Sequence, residues 1–182
     1  MPDGMTALHY ASASGSAACA ATLVAGGAAL DASGARTPPP LHLACRSGHT
    51  ETVRVLIAAA KRGAELTAED GTTAAHVAAD VGEAECLAML LDAGARPDAV
   101  RQDGGTPLHY ACMAGHSECT SLLLSAGANP NVKRSDQVTA CHLAAQAGSE
   151  ECLRLLCAAR CDVNSAIANA RQRTHGVLPT FG

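Results

Sequence analysis

Apolar positions in this chain come in short clusters at helical spacing, separated by glycines and polar turns. Leu108, Ala111 and Cys112 fall on one face of a segment that stops near Gly115. That spacing predicts a short helix, with Thr106 as its N-cap and Pro107 at the first helical position, where a missing N–H costs nothing. Gly115 suits a left-handed cap at its end. Cys119, Leu122 and Leu123 repeat the three- and four-residue spacing, so a second helix follows, with Ser117 as its expected cap and Gly127 as its stop. The polar stretch after Asn129 predicts an extended finger, turned by Asp-Gly or an equivalent pair. Two antiparallel helices with one apolar face cannot bury it alone and need neighbours.

The neighbours are written into the chain. The phrase Thr106-Pro107-Leu108-His109-Tyr110-Ala111 has copies beginning at Thr6, Pro39, Thr73 and Thr139. Their histidines, His9, His42, His76, His109 and His142, stand 33, 34, 33 and 33 residues apart. An Asp-Gly pair precedes the phrase at Asp3-Gly4, Asp70-Gly71 and Asp103-Gly104. Glycines follow it at Gly15, Gly48, Gly82, Gly115 and Gly148. Gly-Ala closes the second apolar run at Gly27-Ala28, Gly94-Ala95 and Gly127-Ala128. A fixed period of this length marks a solenoid whose units stack only on their neighbours.

Phrase and period together resemble the ankyrin repeat, over about residues 3–165. The resemblance implies an all-α solenoid of stacked helix-turn-helix units joined by β-hairpin-like fingers, with five repeats at about 1–32, 33–66, 67–99, 100–132 and 133–165. Residues 166–182 would be a degenerate cap or tail. It implies a non-catalytic scaffold that binds protein partners along its fingertips and concave helix face, or else a spacer or substrate-recruiting segment of a larger assembly such as a ubiquitin-ligase adaptor or a channel's cytosolic domain, and a structural hydrogen-bonding role for the repeated histidine.

Composition agrees and narrows the setting. The chain is 48% hydrophobic but 2% aromatic, which suits helices packed closely in a stack. No run is apolar and long enough to span a bilayer, and Met1 is not followed by a basic-then-apolar signal segment. A formal charge of -4 offers nucleic acid no general attraction. A monomer in the cytoplasm, with the nucleus as the other compartment, is the expectation.

Nine cysteines invite a disulfide or metal reading, and their phase argues against it. Cys19, Cys86, Cys119 and Cys152 occupy one position in four units, where the second unit has Thr52; Cys45 and Cys112 share another. Equivalent residues of stacked units should lie ~8–10 Å apart, beyond the usual disulfide Cα separation of ~4.4–6.8 Å. They are expected as small buried hydrophobes in a reducing compartment, with Cys157 and Cys161 as exceptions. His42 with Cys45, and His109 with Cys112, would supply two ligands where zinc needs three or four. Neither a catalytic motif nor a phosphate-binding glycine loop is present, so no cofactor or metal is expected. An active site also needs one constellation, not five copies of one residue.

Departures from the pattern are informative. In the second unit Gly34-Ala35-Arg36-Thr37-Pro38-Pro39-Pro40 replaces both the Asp-Gly turn and the capping threonine. Ala58-Ala59-Ala60-Lys61-Arg62 runs on where Gly-Ala was due, which predicts a longer helix and a shorter following finger. Drift in a tolerant loop and a shaped binding edge account equally for both changes.

By the resemblance, partner-binding positions are those at the fingertips and on the exposed side of the first helices. They are Arg36, Arg46, Glu69, Asp80, Arg101, Gln102, Tyr110, Met113, Lys133, Arg134 and Gln146. Tyr110 and Met113 are the expected anchors. Arg101, Lys133 and Arg134 should give the later fingers a positive edge. Leu156 to Asn164 also resembles the Leu-x5-Asp-Val-Asn context in which ankyrin asparagines are hydroxylated, which would place that modification at Asn164. A turn-stabilising asparagine explains the same residue and is the preferred reading. The ends look cut: no polar segment precedes the first unit, and an uncapped solenoid exposes apolar surface.

Overall fold

The computed structural model describes residues 4–32, 37–60 and 65–164. Within them the chain forms ten helices in five pairs: α1 (Ala7–Ala13) with α2 (Ala17–Ala25), α3 (Pro40–Arg46) with α4 (Thr50–Ala59), α5 (Ala74–Val81) with α6 (Ala84–Asp92), α7 (Pro107–Ala114) with α8 (Ser117–Ser125), and α9 (Ala140–Ala147) with α10 (Glu150–Ala158). The odd-numbered helices stack in one row and the even-numbered helices in a second. Alanine is what lets the first row approach so closely. Ala44, Ala78, Ala111 and Ala144, each two residues after the repeated histidine, are fully buried. Leu56, Leu90, Leu123 and Leu156 do the same for the second row. With alanine at Ala17, Ala18, Ala20 and Ala21, α2 is small-sided and buries only Ala20.

The repeated threonine and histidine lock each first helix to the finger beside it. The Thr6, Thr73, Thr106 and Thr139 N–H groups donate to Nδ1 of His9, His76, His109 and His142 at 2.9, 3.2, 3.1 and 3.1 Å. Their hydroxyls reach the same nitrogen at 2.8, 2.8, 2.8 and 3.0 Å. On the other side of the ring, Nε2 of His9, His42, His76 and His109 faces the carbonyls of Ala32, Leu66, Gly105 and Val132 at 3.0 to 3.2 Å. A carbonyl can only accept, so Nε2 carries the proton and Nδ1 is the acceptor.

That assignment exposes the cost of the departure in the second unit. Pro39 caps α3 and has neither an N–H nor a hydroxyl, so His42 Nδ1 is buried with no hydrogen-bond partner. Pro39→Thr should therefore raise stability by about 1 kcal/mol, the gain of a cap and a satisfied acceptor less the entropy that proline removes from the unfolded chain. Urea unfolding of the two chains checks this, and an unchanged midpoint would contradict it.

The fingers are tight hairpins. Ala68, Arg101 and Arg134 N–H groups bond across to Thr72, Gly105 and Val138 carbonyls at 2.8, 3.0 and 2.9 Å. The carboxylates of Asp70, Asp103 and Asp136 each accept a backbone N–H two residues on. The turn residue after them is left-handed: Gly71, Gly104 and, in the fifth unit, Gln137 at φ 67. Adjacent fingers also bond directly, Gln102 N–H to Asp70 O and Ser135 N–H to Asp103 O, both at 2.9 Å.

Several expectations need correction. The second helix of the fourth unit is capped by His116, one residue before Ser117, which is its first helical residue. Ser16 and Ser149 stand at that cap position and do accept from Cys19 and Cys152 N–H groups. The lengthening of α4 is present, at ten residues against nine in the other second helices. Residues 33–36 and 61–64, with the altered fingers expected there, and the tail from 165 lie outside the described residues.

The described cysteines are free thiols. Cys45, Cys86, Cys112, Cys119, Cys141 and Cys152 are buried, but Cys19 is exposed because no helix stacks on that face of α2 among the described residues. Their closest approaches join different positions of the repeat, not equivalent ones. Cys112 and Cys152 share the Thr120 hydroxyl at 3.7 and 3.5 Å.

Candidate interaction surface

The finger hairpins stand beside the first helices, and a groove runs between them across units two to four. Its larger part, about 570 Å³, is lined by Thr37, Pro38, His42, Arg46, Ala68, Glu69, Asp70, Thr72, Val77 and Gln102. The adjoining part, about 170 Å³, shares Arg46, Asp70, Thr72 and Val77 and adds His76, Asp80, Arg101 and Tyr110. The helix phase explains this assembly. Arg46 and Asp80 each follow the repeated histidine by four residues, one turn up the helix face.

The groove contains two kinds of residue, which sequence alone did not separate. Arg101, Gln102 and Tyr110 line it and brace the fingers, and Arg134 braces them one finger on, outside both cavities. The Arg101 guanidinium pairs with Asp70 at 2.5 Å, and Arg134 pairs with Asp103 at 3.4 Å, so each arginine reaches back to the preceding finger. Gln102 Nε2 donates to the Glu69 carbonyl at 2.9 Å. The expected positive edge is thus largely neutralised, with Lys133 left exposed beside it.

Tyr110 is not the exposed anchor expected of it. It is 7% exposed, its hydroxyl donates to Asp103 at 2.8 Å, its ring meets His76 edge-on, and Arg101 lies 5.0 Å over its face. Burial and the bond to Asp103 push its hydroxyl up to about 12, so it remains a donor. Tyr10, at the equivalent place in the first unit, is 48% exposed.

Electrostatics follow from these contacts. Burial pulls Asp70 upward, but hydrogen bonds from Thr72 and the Arg101 guanidinium outweigh it and hold the carboxyl at about 2. Asp103 is lowered in the same way, with Gly105, Tyr110 and Arg134 outweighing burial. His42 and His76 fall to about 4, chiefly through burial, and are neutral at pH 7. Arg46, Glu69 and Asp80 are exposed, and none of them forms an ion pair among the described residues. They are the charges that the groove offers outward.

Met113, 42% exposed, Lys133 and Gln146 are exposed but lie outside both cavities, and Arg36 lies outside the described residues. Thr72, Val77 and Asp103 were not foreseen as part of the site. Asp103 could have been found, since Asp70 and Asp103 each precede an arginine by 31 residues, one repeat less two. His49 and His116 were missed as well; their Nε2 atoms reach back one unit to the Ala13 and Asp80 carbonyls at 3.1 and 3.2 Å.

The His-x-x-Cys pairs do not converge on a ligand, since each histidine spends Nε2 on a carbonyl and Cys45 and Cys112 are fully buried. Among the described residues no group of three or more His, Cys, Asp or Glu is placed to hold a metal ion. No described helix is long and apolar enough to cross a membrane.

Comparison with known proteins agrees with the fold. The E3 ubiquitin-protein ligase KEG of Arabidopsis thaliana is 39% identical over 103 residues, which cover 54% of this chain and 6% of that protein. The chain thus matches a small fraction of that relative's length. A family model described as ankyrin repeats (3 copies) matches residues 31–101 and 76–167, and one described as ankyrin repeat matches residues 3–35. With nearly every unit matched, and the Thr–His locks, helix pairs and stacked fingers all in register, the chain belongs to the ankyrin repeat family.

Proposed function

We propose that this protein-interaction domain is a non-catalytic scaffold, monomeric and cytoplasmic, that docks a protein partner in the groove across units two to four. The observation that carries the reading is the separation of roles just described. Asp70, Arg101, Gln102 and Tyr110 hold the wall rigid, while Arg46, Glu69 and Asp80 present uncommitted charge along it. A rigid wall lowers the ordering cost of association, and charges of both signs give register and selectivity. Met113 and Gln146 would extend the contact along the first helices. The net negative charge argues for protein and against nucleic acid.

A second reading, recruitment of a substrate within a larger assembly, is favoured by the likeness to a segment of a ubiquitin ligase. It would use the same groove. Hydroxylation of Asn164 remains a separate proposal. Asn131, one unit earlier, accepts the Asp162 N–H at 2.7 Å through Oδ1, which supports the turn-stabilising role at this position.

The test is binding of captured protein to the chain and to an Arg46→Glu/Asp80→Lys variant, with Arg54→Glu on the outer helix as the control. Weakening of about tenfold or more by the groove variant alone is expected, as for interface charge reversal. Equal binding by all three would remove the groove as the docking site.

A further inference from the structure

Each first helix displays one position to solvent four residues after the repeated histidine. Ala13, Arg46, Asp80, Met113 and Gln146 hold it in units one to five, and all of them are exposed. Because the first helices stack directly on one another, these side chains form a row along the stack. Neighbouring packed helices lie ~8–10 Å apart, so the row offers one side chain at about that interval. Its chemistry changes at each step: Arg46 is cationic, Asp80 anionic and Met113, at the edge of the groove, apolar. Neither charge has an ion-pair partner among the described residues. Arg46 and Asp80 also line one space of about 170 Å³, backed by Asp70, Arg101 and Tyr110 of the braced wall.

A partner lying along this row must present same-face residues at the same interval. A β-strand does so every second residue, at ~6.6 Å, or every fourth, at ~13 Å, and falls out of step. It would also need a free backbone edge, whereas the fingers spend theirs on one another, Gln102 N–H on Asp70 O and Ser135 N–H on Asp103 O. An α-helix returns to one face every seven residues, at ~10.5 Å, but it is ~10–12 Å across, too thick for the space between Arg46, Asp80 and the wall. A polyproline-II chain turns once in three residues with a rise of ~3.1 Å each, so every third residue returns to one face after ~9.3 Å. That matches the row in spacing, and the single extended chain suits the groove in width.

We propose that the groove docks a polyproline-II segment of its partner that carries an acidic, a basic and an apolar residue at three-residue intervals. The acidic residue meets Arg46, the basic one Asp80 and the apolar one Met113. The proposal rests on the docking reading above and adds to it the partner's conformation and residue order. Such a segment is largely ordered before it binds, and the Asp70–Arg101 and Asp103–Tyr110 contacts already hold the wall, so little freedom is lost on either side. The order also supplies selectivity. Exchanging the acidic and basic residues sets like charges face to face in units two and three.

Fluorescently labelled peptides titrated into the full chain and followed by anisotropy test it. One carries aspartate, lysine and leucine three residues apart in a proline host, and a second carries them two apart in the same host. A third places them seven apart in an alanine-rich helical host, and each is made in both chain directions. The three-residue spacing should bind tighter than either of the others by about tenfold or more. An Arg46→Asp/Asp80→Arg variant, changed only at exposed positions, should reverse the charge preference. It should bind the peptide with aspartate and lysine exchanged and lose the original by a similar factor. Equal binding of the two proline-host spacings, tighter binding of the helical peptide, or an unreversed preference in the variant would each overturn the proposal. Absence of binding by every peptide would overturn it too. Loss of captured protein from the Arg46→Glu/Asp80→Lys chain would still uphold the groove in that case, so the two readings fail separately.

Discussion

Acid is expected to unfold this array between pH 6.5 and 4, above the range in which Asp70 and Asp103 titrate. His42 and His76 are neutral in the fold, with pKa values of about 4 set mainly by burial, and His109 is lowered for the same reason. Their unfolded value is near 6.5. Between the two values the unfolded chain binds the proton and the folded chain does not, so stability is fully present above about 6.5 and falls as the pH drops toward 4. At 1.36 kcal/mol per unit, His42 and His76 each contribute a loss on the order of 3 kcal/mol, a large part of a typical domain's stability.

Asp70 and Asp103 do not account for that window. Their pKa values are lowered, so what they contribute is present above about 3.9 and disappears only as the pH falls through the folded values, about 2 for Asp70. Urea midpoints followed by circular dichroism at pH 7, 5.5 and 4 read the effect. A midpoint that stays level from 6.5 to 4 would mean that these histidines are not held neutral.

Gly104→Ala should cost about 3 kcal/mol, against about 1 for Gly148→Ala. Both glycines are left-handed, at φ 77 and φ 68, so both alanines carry similar backbone strain. Their surroundings differ. A Cβ on Gly104 would lie 2.8 Å from Ser135 N and 3.1 Å from Arg134 Cα, whereas one on Gly148 meets nothing within 4 Å. The opposing atoms are backbone of the next finger, and they cannot yield without breaking the Ser135 N–H to Asp103 O bond. Paired urea unfolding measures the difference, and hydrogen exchange over residues 132–139 should quicken in Gly104→Ala alone. Equal costs would show that the fingers do not touch there.

Much of the fold was legible because stacking repeats its demands. A threonine or proline before each first helix, a histidine three residues after the cap and a glycine at the turn are local requirements, so they recur at a fixed interval. The site was legible only as a surface. Arg46, Glu69 and Asp80 lie on the groove wall, but Arg101 and Tyr110 looked the same in the sequence and are committed to Asp70 and Asp103. Whether a fingertip arginine is free depends on the residue 31 positions away, which one unit read alone cannot show. The exposure of Cys19 was hidden for the same reason, since its equivalents are buried by the unit before them.

The sequence by itself determined the unit, its period and its stacked, all-helical architecture, because each follows from caps, turns and apolar spacing within about one repeat. Tertiary structure decided which charges remain available, that Pro39 orphans His42 Nδ1, and that Cys19 is exposed where its equivalents are buried. Those outcomes depend on contacts between neighbouring units, and a periodic pattern specifies the places of such contacts without specifying their pairing.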